Sequence, residues 1–147
     1  HDLIDAVFAL GVEDDLVLLL DRVRALQSFI ETPDGTNLLA GYRRAANILK
    51  KEKVEVGIHP SYGFEPAEVS LMKDLALAEA KAVEFLEKED YERVMAALAS
   101  LRAPIDAFFE SVIVNDPEPA KRAARLALLE RVRTAVHKVA DFSKISG

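Results

Sequence analysis

The chain has 147 residues, half of them apolar and 30% charged, with no cysteine and a formal net charge of −6. That balance excludes a disordered segment, which could not bury enough apolar surface to offset its ordering entropy, and the length suits one hydrophobic core. The lack of thiols excludes disulfides and zinc–thiolate sites, and no apolar run approaches the ~18 residues needed to cross a bilayer, so a cytoplasmic location is expected.

The opening residues Asp2-Leu-Ile-Asp-Ala-Val-Phe already run in a helical pattern without an initiator methionine, so a piece of a longer protein is expected. Between Asp15 and Ile30, Leu16, Leu19, Leu20, Val23, Leu26 and Ile30 recur at three- and four-residue steps. This spacing predicts a core helix with those side chains on one face. Thr32-Pro-Asp-Gly reads as a break, with a third helix starting near Thr36 or Asn37. In that helix Leu38, Tyr42, Ala45 and Leu49 form the buried stripe. At about 100° per residue, Arg43, Asn47 and Lys50 fall on the opposite side, with Arg44 and Lys51 on its shoulder. Residues 53–64 hold two Gly, one Pro and no helical period, and read as an extended loop. Glu65-Pro66 restarts a helix that carries Leu71, Leu75, Ala78, Ala82 and Phe85 at helical spacing. Asp90 is placed to cap a helix from Tyr91 to Leu101, and Pro104 to open a short one through Val112. Asp116-Pro117-Glu118 starts the last and longest helix, with Leu129, Val132, Val136 and Val139 facing inward. The predicted fold is all-α, a single bundle of about seven helices over residues 1–147, with no sheet and no internal repeat.

Chemistry is sparse. His1, His59 and His137 are too scattered for a metal site, which needs several convergent ligands. There is no Gly-rich phosphate loop, no Gly-x-Ser-x-Gly elbow and no nucleophile-and-base constellation, so no catalytic residue, metal or cofactor is assigned. The charge is segregated instead. Residues 43–53 hold five basic side chains and one acid, and residues 121–138 hold six and one, leaving an acidic remainder. Such patches suit a polyanionic partner, although charge runs on helix faces are commonly just solvated. On the third helix, Arg43 and Arg44 offer bidentate guanidiniums, Lys50 and Lys51 point charges for phosphates, and Asn47 an amide able to pair with a base edge. Lys121, Arg122 and Arg125 form a second array. Phe108-Phe109 could stack on unpaired bases, but adjacent residues cannot share one helix face, so at least one belongs to the core.

Three segments carry a resemblance. Tyr42-Arg-Arg-Ala-Ala-Asn-Ile-Leu-Lys has a basic pair followed by Asn-Ile-Leu, and Leu101-Arg-Ala-Pro-Ile-Asp-Ala-Phe-Phe-Glu-Ser-Val-Ile-Val is closer still to a Leu-Arg-x-x-Ile/Val-Asp-Ala-Phe-Phe-Asp-x-Val-Met-Val pattern. The third is Arg125-Leu-Ala-Leu-Leu-Glu-Arg-Val-Arg, with Val139-Ala-Asp-Phe-Ser after it. In this order they resemble the tail of the bacterial glycyl-tRNA synthetase beta subunit. The resemblance implies a C-terminal, DALR-like helical anticodon-binding domain, related to that of arginyl-tRNA synthetase. It implies tRNA(Gly), the synthetase alpha subunit and the remainder of the beta subunit as partners, with no membrane or DNA partner. It also implies a parent alpha2beta2 ligase that uses ATP and magnesium, glycine activation being carried by the alpha subunit and no cofactor by this domain. Arg43, Arg44, Lys50 and Lys51 would then meet phosphates and Asn47 a base or sugar, with Arg122 and Arg125 as further contacts. Where the family has Arg-x-Asn-Arg-Leu, this sequence reads Arg122-Ala-Ala-Arg125-Leu, so Ala124 removes the amide from that position. The alternative is a helical docking module of the synthetase without direct tRNA contact.

Overall fold

Asp15, Thr32 and Asp90 open helices with side-chain caps in the computed structural model, which describes residues 2–9, 15–52 and 64–145. His1, His59 and, apart from Phe64, the loop expected at 53–64 lie outside the described residues. After α1 (Asp2–Phe8), the Asp15 carboxylate accepts from the Val17 and Leu18 N–H groups at 2.9 and 3.3 Å and starts α2 (Leu16–Ile30). Thr32 then closes one helix and opens the next: its hydroxyl donates to the Phe29 carbonyl and accepts from the Gly35 N–H at 3.0 Å.

Helix α3 (Pro33–Lys51) therefore begins three residues before Thr36, and Pro-Asp-Gly is its first turn rather than a break. Proline is accepted there because the first helical N–H groups have no intrahelical partner to lose. Gly35 is required by contact, since a Cβ on it would stand 1.9 Å from the Phe29 carbonyl oxygen. Helix α4 (Pro66–Glu87) starts as expected at Glu65, whose N–H donates to the Glu68 carboxylate at 3.2 Å. Asp90 caps α5 (Tyr91–Ala99), followed by α6 (Arg102–Ser111), α7 (Pro119–His137) and a 3-10 turn at Phe142–Lys144. The described residues are thus helical, with seven α-helices and no strand.

α3 lies at the centre, packed on α2, α5, α6, α7 and the 3-10 turn. Its buried stripe is the expected Leu38, Tyr42, Ala45 and Leu49. Gly41 brings it close to α6, where a Cβ would meet Ile105 Cγ2 at 3.0 Å. One apolar cluster joins side chains from all seven helices and the 3-10 turn. The Asp141 N–H donates to the Ala6 carbonyl at 2.9 Å and ties that turn to α1. The stripe expected on α2 is corrected: Leu19, Arg22, Leu26 and Phe29 are buried, whereas Leu16 is 61% exposed and Leu20 is exposed as well. The start of α2 is apolar all round, so its period alone did not fix which face turns inward. Arg22 enters that face because its guanidinium sits 5.0 Å over the Tyr91 ring.

Candidate nucleic-acid interface

The outward side of α3 gathers most of the expected contact residues. Arg44, Asn47, Lys50 and Lys51 are exposed and Arg43 is half-buried. An open depression of about 600 Å³ runs between Ala40, Arg43, Arg44, Asn47, Ile48 and Lys51. Lys50 stands outside that lining, on the far side of Arg43. Asn47 sits in the depression with guanidinium and ammonium groups around it, an arrangement in which cations take phosphates and an amide reads a base or sugar edge. Arg43 is held by its guanidinium, which donates to the Ile145 carbonyl at 2.7 Å. Beneath it Tyr42 lies edge-on to Phe142 at 5.6 Å. Burial pushes the Tyr42 phenol above its ordinary pKa, the Asp141 carboxylate adds to the rise, and Arg133 opposes it.

The second basic stretch is organised differently, and Arg125 is the clear correction. It is 3% exposed, so it offers no contact to an external ligand. Its guanidinium donates to the Glu68 carboxylate at 3.1 Å, the Ile113 carbonyl at 2.7 Å and the Asp116 carboxylate at 3.3 Å. Arg125 thereby clamps the start of α4 and the α6–α7 connector onto α7. Most of the neighbouring cations are also engaged by acids: Lys121 by Glu118 at 3.6 Å, Arg131 by Glu79 at 2.6 Å, and Arg133 by Glu130. Arg122 is half-buried, with one guanidinium nitrogen 3.5 Å from the Asp116 carbonyl. By contrast, no ion pair engages Arg44, Lys50 or Lys51 among the described residues. Most of the positive charge along α7 is therefore paired with acids, Arg122 and Lys138 excepted, whereas Arg44, Lys50 and Lys51 on α3 meet none among the described residues.

The Phe108-Phe109 pair divides as helix geometry demands. Phe108 is fully buried, and Phe109 is half-exposed with the Arg44 guanidinium 4.3 Å over its ring. Sequence reasoning named both residues and missed their pairing, because 65 positions separate them and no spacing rule spans two helices.

A family model described as the DALR anticodon binding domain matches residues 38–146. The glycine–tRNA ligase beta subunit of Phenylobacterium zucineum is 48% identical over the whole of this chain, and that of Rhodospirillum centenum is also 48% identical. The same subunit of a Ruegeria species is 44% identical, again over the whole chain. The chain spans only 23%, 22% and 22% of the lengths of these three relatives. With a match from α3 to the 3-10 turn and relatives aligned along its full length, the chain belongs to the DALR anticodon-binding domain family, in the branch found in glycine–tRNA ligase beta subunits.

Proposed function

We propose that the chain binds the anticodon stem-loop of tRNA(Gly) through the outer side of α3, as the tRNA-reading part of a cytoplasmic glycine–tRNA ligase. The observation that carries this reading is the unneutralised cluster of Arg44, Lys50 and Lys51 around Asn47 on an otherwise acidic chain. Phosphate affinity depends on local positive potential rather than on net charge. Arg43, Arg44, Lys50 and Lys51 hold phosphates, and Asn47 meets a base or sugar. Arg122 is a weaker contact at the edge, and Arg125 acts only through the architecture. ATP and magnesium belong to glycine activation on a separate alpha subunit of an alpha2beta2 assembly, and the residues described here are assigned none of that chemistry.

The test uses the full-length protein with Arg43→Ala/Arg44→Ala and, separately, Asn47→Ala, measuring tRNA(Gly) affinity across salt, aminoacylation and melting temperature. The charge variant should lose affinity and flatten the salt dependence by about one unit per lost phosphate contact. The amide variant should cost roughly 1–3 kcal/mol with the salt slope kept. Unchanged affinity and aminoacylation in both, with folding intact, would reject the surface. That result would favour a second reading, docking within the synthetase without tRNA contact, which the exposed Ile4, Phe8, Leu16 and Val17 of α1 and α2 support.

A further inference from the structure

Beside the depression on α3 lies a second hollow, of about 450 Å³, between α3 and the connector that follows α6. We infer that this hollow receives one unpaired nucleobase of the bound RNA, stacked against the Arg44–Phe109 pair. The inference rests on the tRNA-binding reading above and adds to it a site for a single base. Several observations converge on a flat, partly polar ligand held next to phosphates. The volume falls in the range of small-ligand pockets, which start at roughly 300 Å³. Its walls are apolar, with Ile48 on one side and Val112 and Ile113 on the other. Ile113 is 68% exposed, so its side chain is open to a ligand in the hollow.

The stacking surface is already assembled. The Arg44 guanidinium lies 4.3 Å over the Phe109 ring, and Phe109 is itself braced edge-on by the buried Phe108 at 5.7 Å. Guanidinium planes and aromatic rings are the surfaces on which splayed RNA bases stack. The lining also includes polar groups able to pair with a base edge: an Asn115 amide can donate and accept, and a Glu52 carboxylate can accept from an exocyclic amino group. Arg44, Ile48 and Lys51 line this hollow and the α3 depression alike, so the two are adjacent and a phosphate in one would lie beside a base in the other. The wall is also fixed from inside, because Arg125 grips the Ile113 carbonyl at 2.7 Å.

The experiment is a cycle of protein and RNA changes in the full-length protein. The probes are tRNA(Gly) molecules with a single abasic nucleotide at successive anticodon-loop positions, bound to wild type, Phe109→Leu and Arg44→Lys. Each protein variant should weaken binding of intact tRNA roughly 5- to 100-fold with little change in salt slope, since neither removes a charge. At one loop position the abasic tRNA should bind wild type and variants alike, because the base and its stacking surface are lost together. Additive losses at every position, with wild-type binding still salt-dependent, would overturn the base site and leave the tRNA reading standing. Absence of salt-dependent binding by wild type would overturn the tRNA reading and the base site together. Should Phe109→Leu lower the melting temperature, Arg44→Lys decides, because it leaves the Phe108–Phe109 packing untouched.

Discussion

Replacing Arg125 with methionine removes the cation that three separate segments share. Glu68, 1% exposed, would keep its carboxylate in the interior without the guanidinium at 3.1 Å, and the Ile113 carbonyl and Asp116 would lose their bonds to α7. Breaking a buried ion pair from one side costs about 3–5 kcal/mol, because the remaining charge is left uncompensated out of water. For a chain near 150 residues each kcal/mol moves the melting temperature by roughly 2–4 °C, so a drop on the order of 6–20 °C is expected by circular dichroism. Removing both partners, as Glu68→Leu with Arg125→Met, should recover part of the loss, since an apolar pair of similar volume is often no worse than a buried salt bridge, although the Glu65 N–H bond to Glu68 is forfeited. A loss below about 1 kcal/mol for the single variant, or a double variant no more stable than the single, would refute the clamp on the scale expected of a buried pair.

Gly35→Ala should destabilise the chain by at least the 1–3 kcal/mol typical of overpacking, because its methyl would fall 1.9 Å from the Phe29 carbonyl oxygen; a melt superimposable on wild type would contradict that approach of α2 and α3. Tyr42 predicts an alkaline effect. Its folded pKa is raised above the ordinary tyrosine value of about 10, so the folded state holds the proton more tightly and the associated stability is complete below pH ~10. That stability is lost as pH rises through the folded pKa. Denaturant midpoints should therefore fall more steeply above pH ~10 in wild type than in Tyr42→Phe, and equal slopes would count against the burial.

Periodicity recovered the α3 stripe, the starts of α4 and α5 and the all-helical architecture, because these depend on residues within one turn of each other. It also put Arg44, Asn47, Lys50 and Lys51 on the outside, as a complement to Leu38, Tyr42, Ala45 and Leu49, whereas Arg43 is half-buried against the Ile145 carbonyl. The burial of Arg125 has a local signal: it stands four residues before Leu129 and seven before Val132, on the very stripe those residues define. Charge type outweighed position there. Arg22 repeats the lesson, spaced three residues from Leu19 and four from Leu26. What no local pattern contains is which acid meets which base across the bundle. Glu68 reaches Arg125 across 57 positions, and Arg44 reaches Phe109 across the close approach of α3 and α6 at Gly41.

Available positive charge is concentrated on α3, whereas most of that on α7 is paired with acids. The most direct measurement of this contrast compares two variants of the full-length protein, Arg44→Ala/Lys50→Ala/Lys51→Ala and Lys121→Ala/Arg133→Ala, by tRNA(Gly) affinity over a salt series. The α3 variant should reduce the slope of log affinity against log salt by about two to three units, while the α7 variant leaves it within about half a unit of wild type. Equal slope losses in both variants, or an unchanged slope in the α3 variant, would contradict the account.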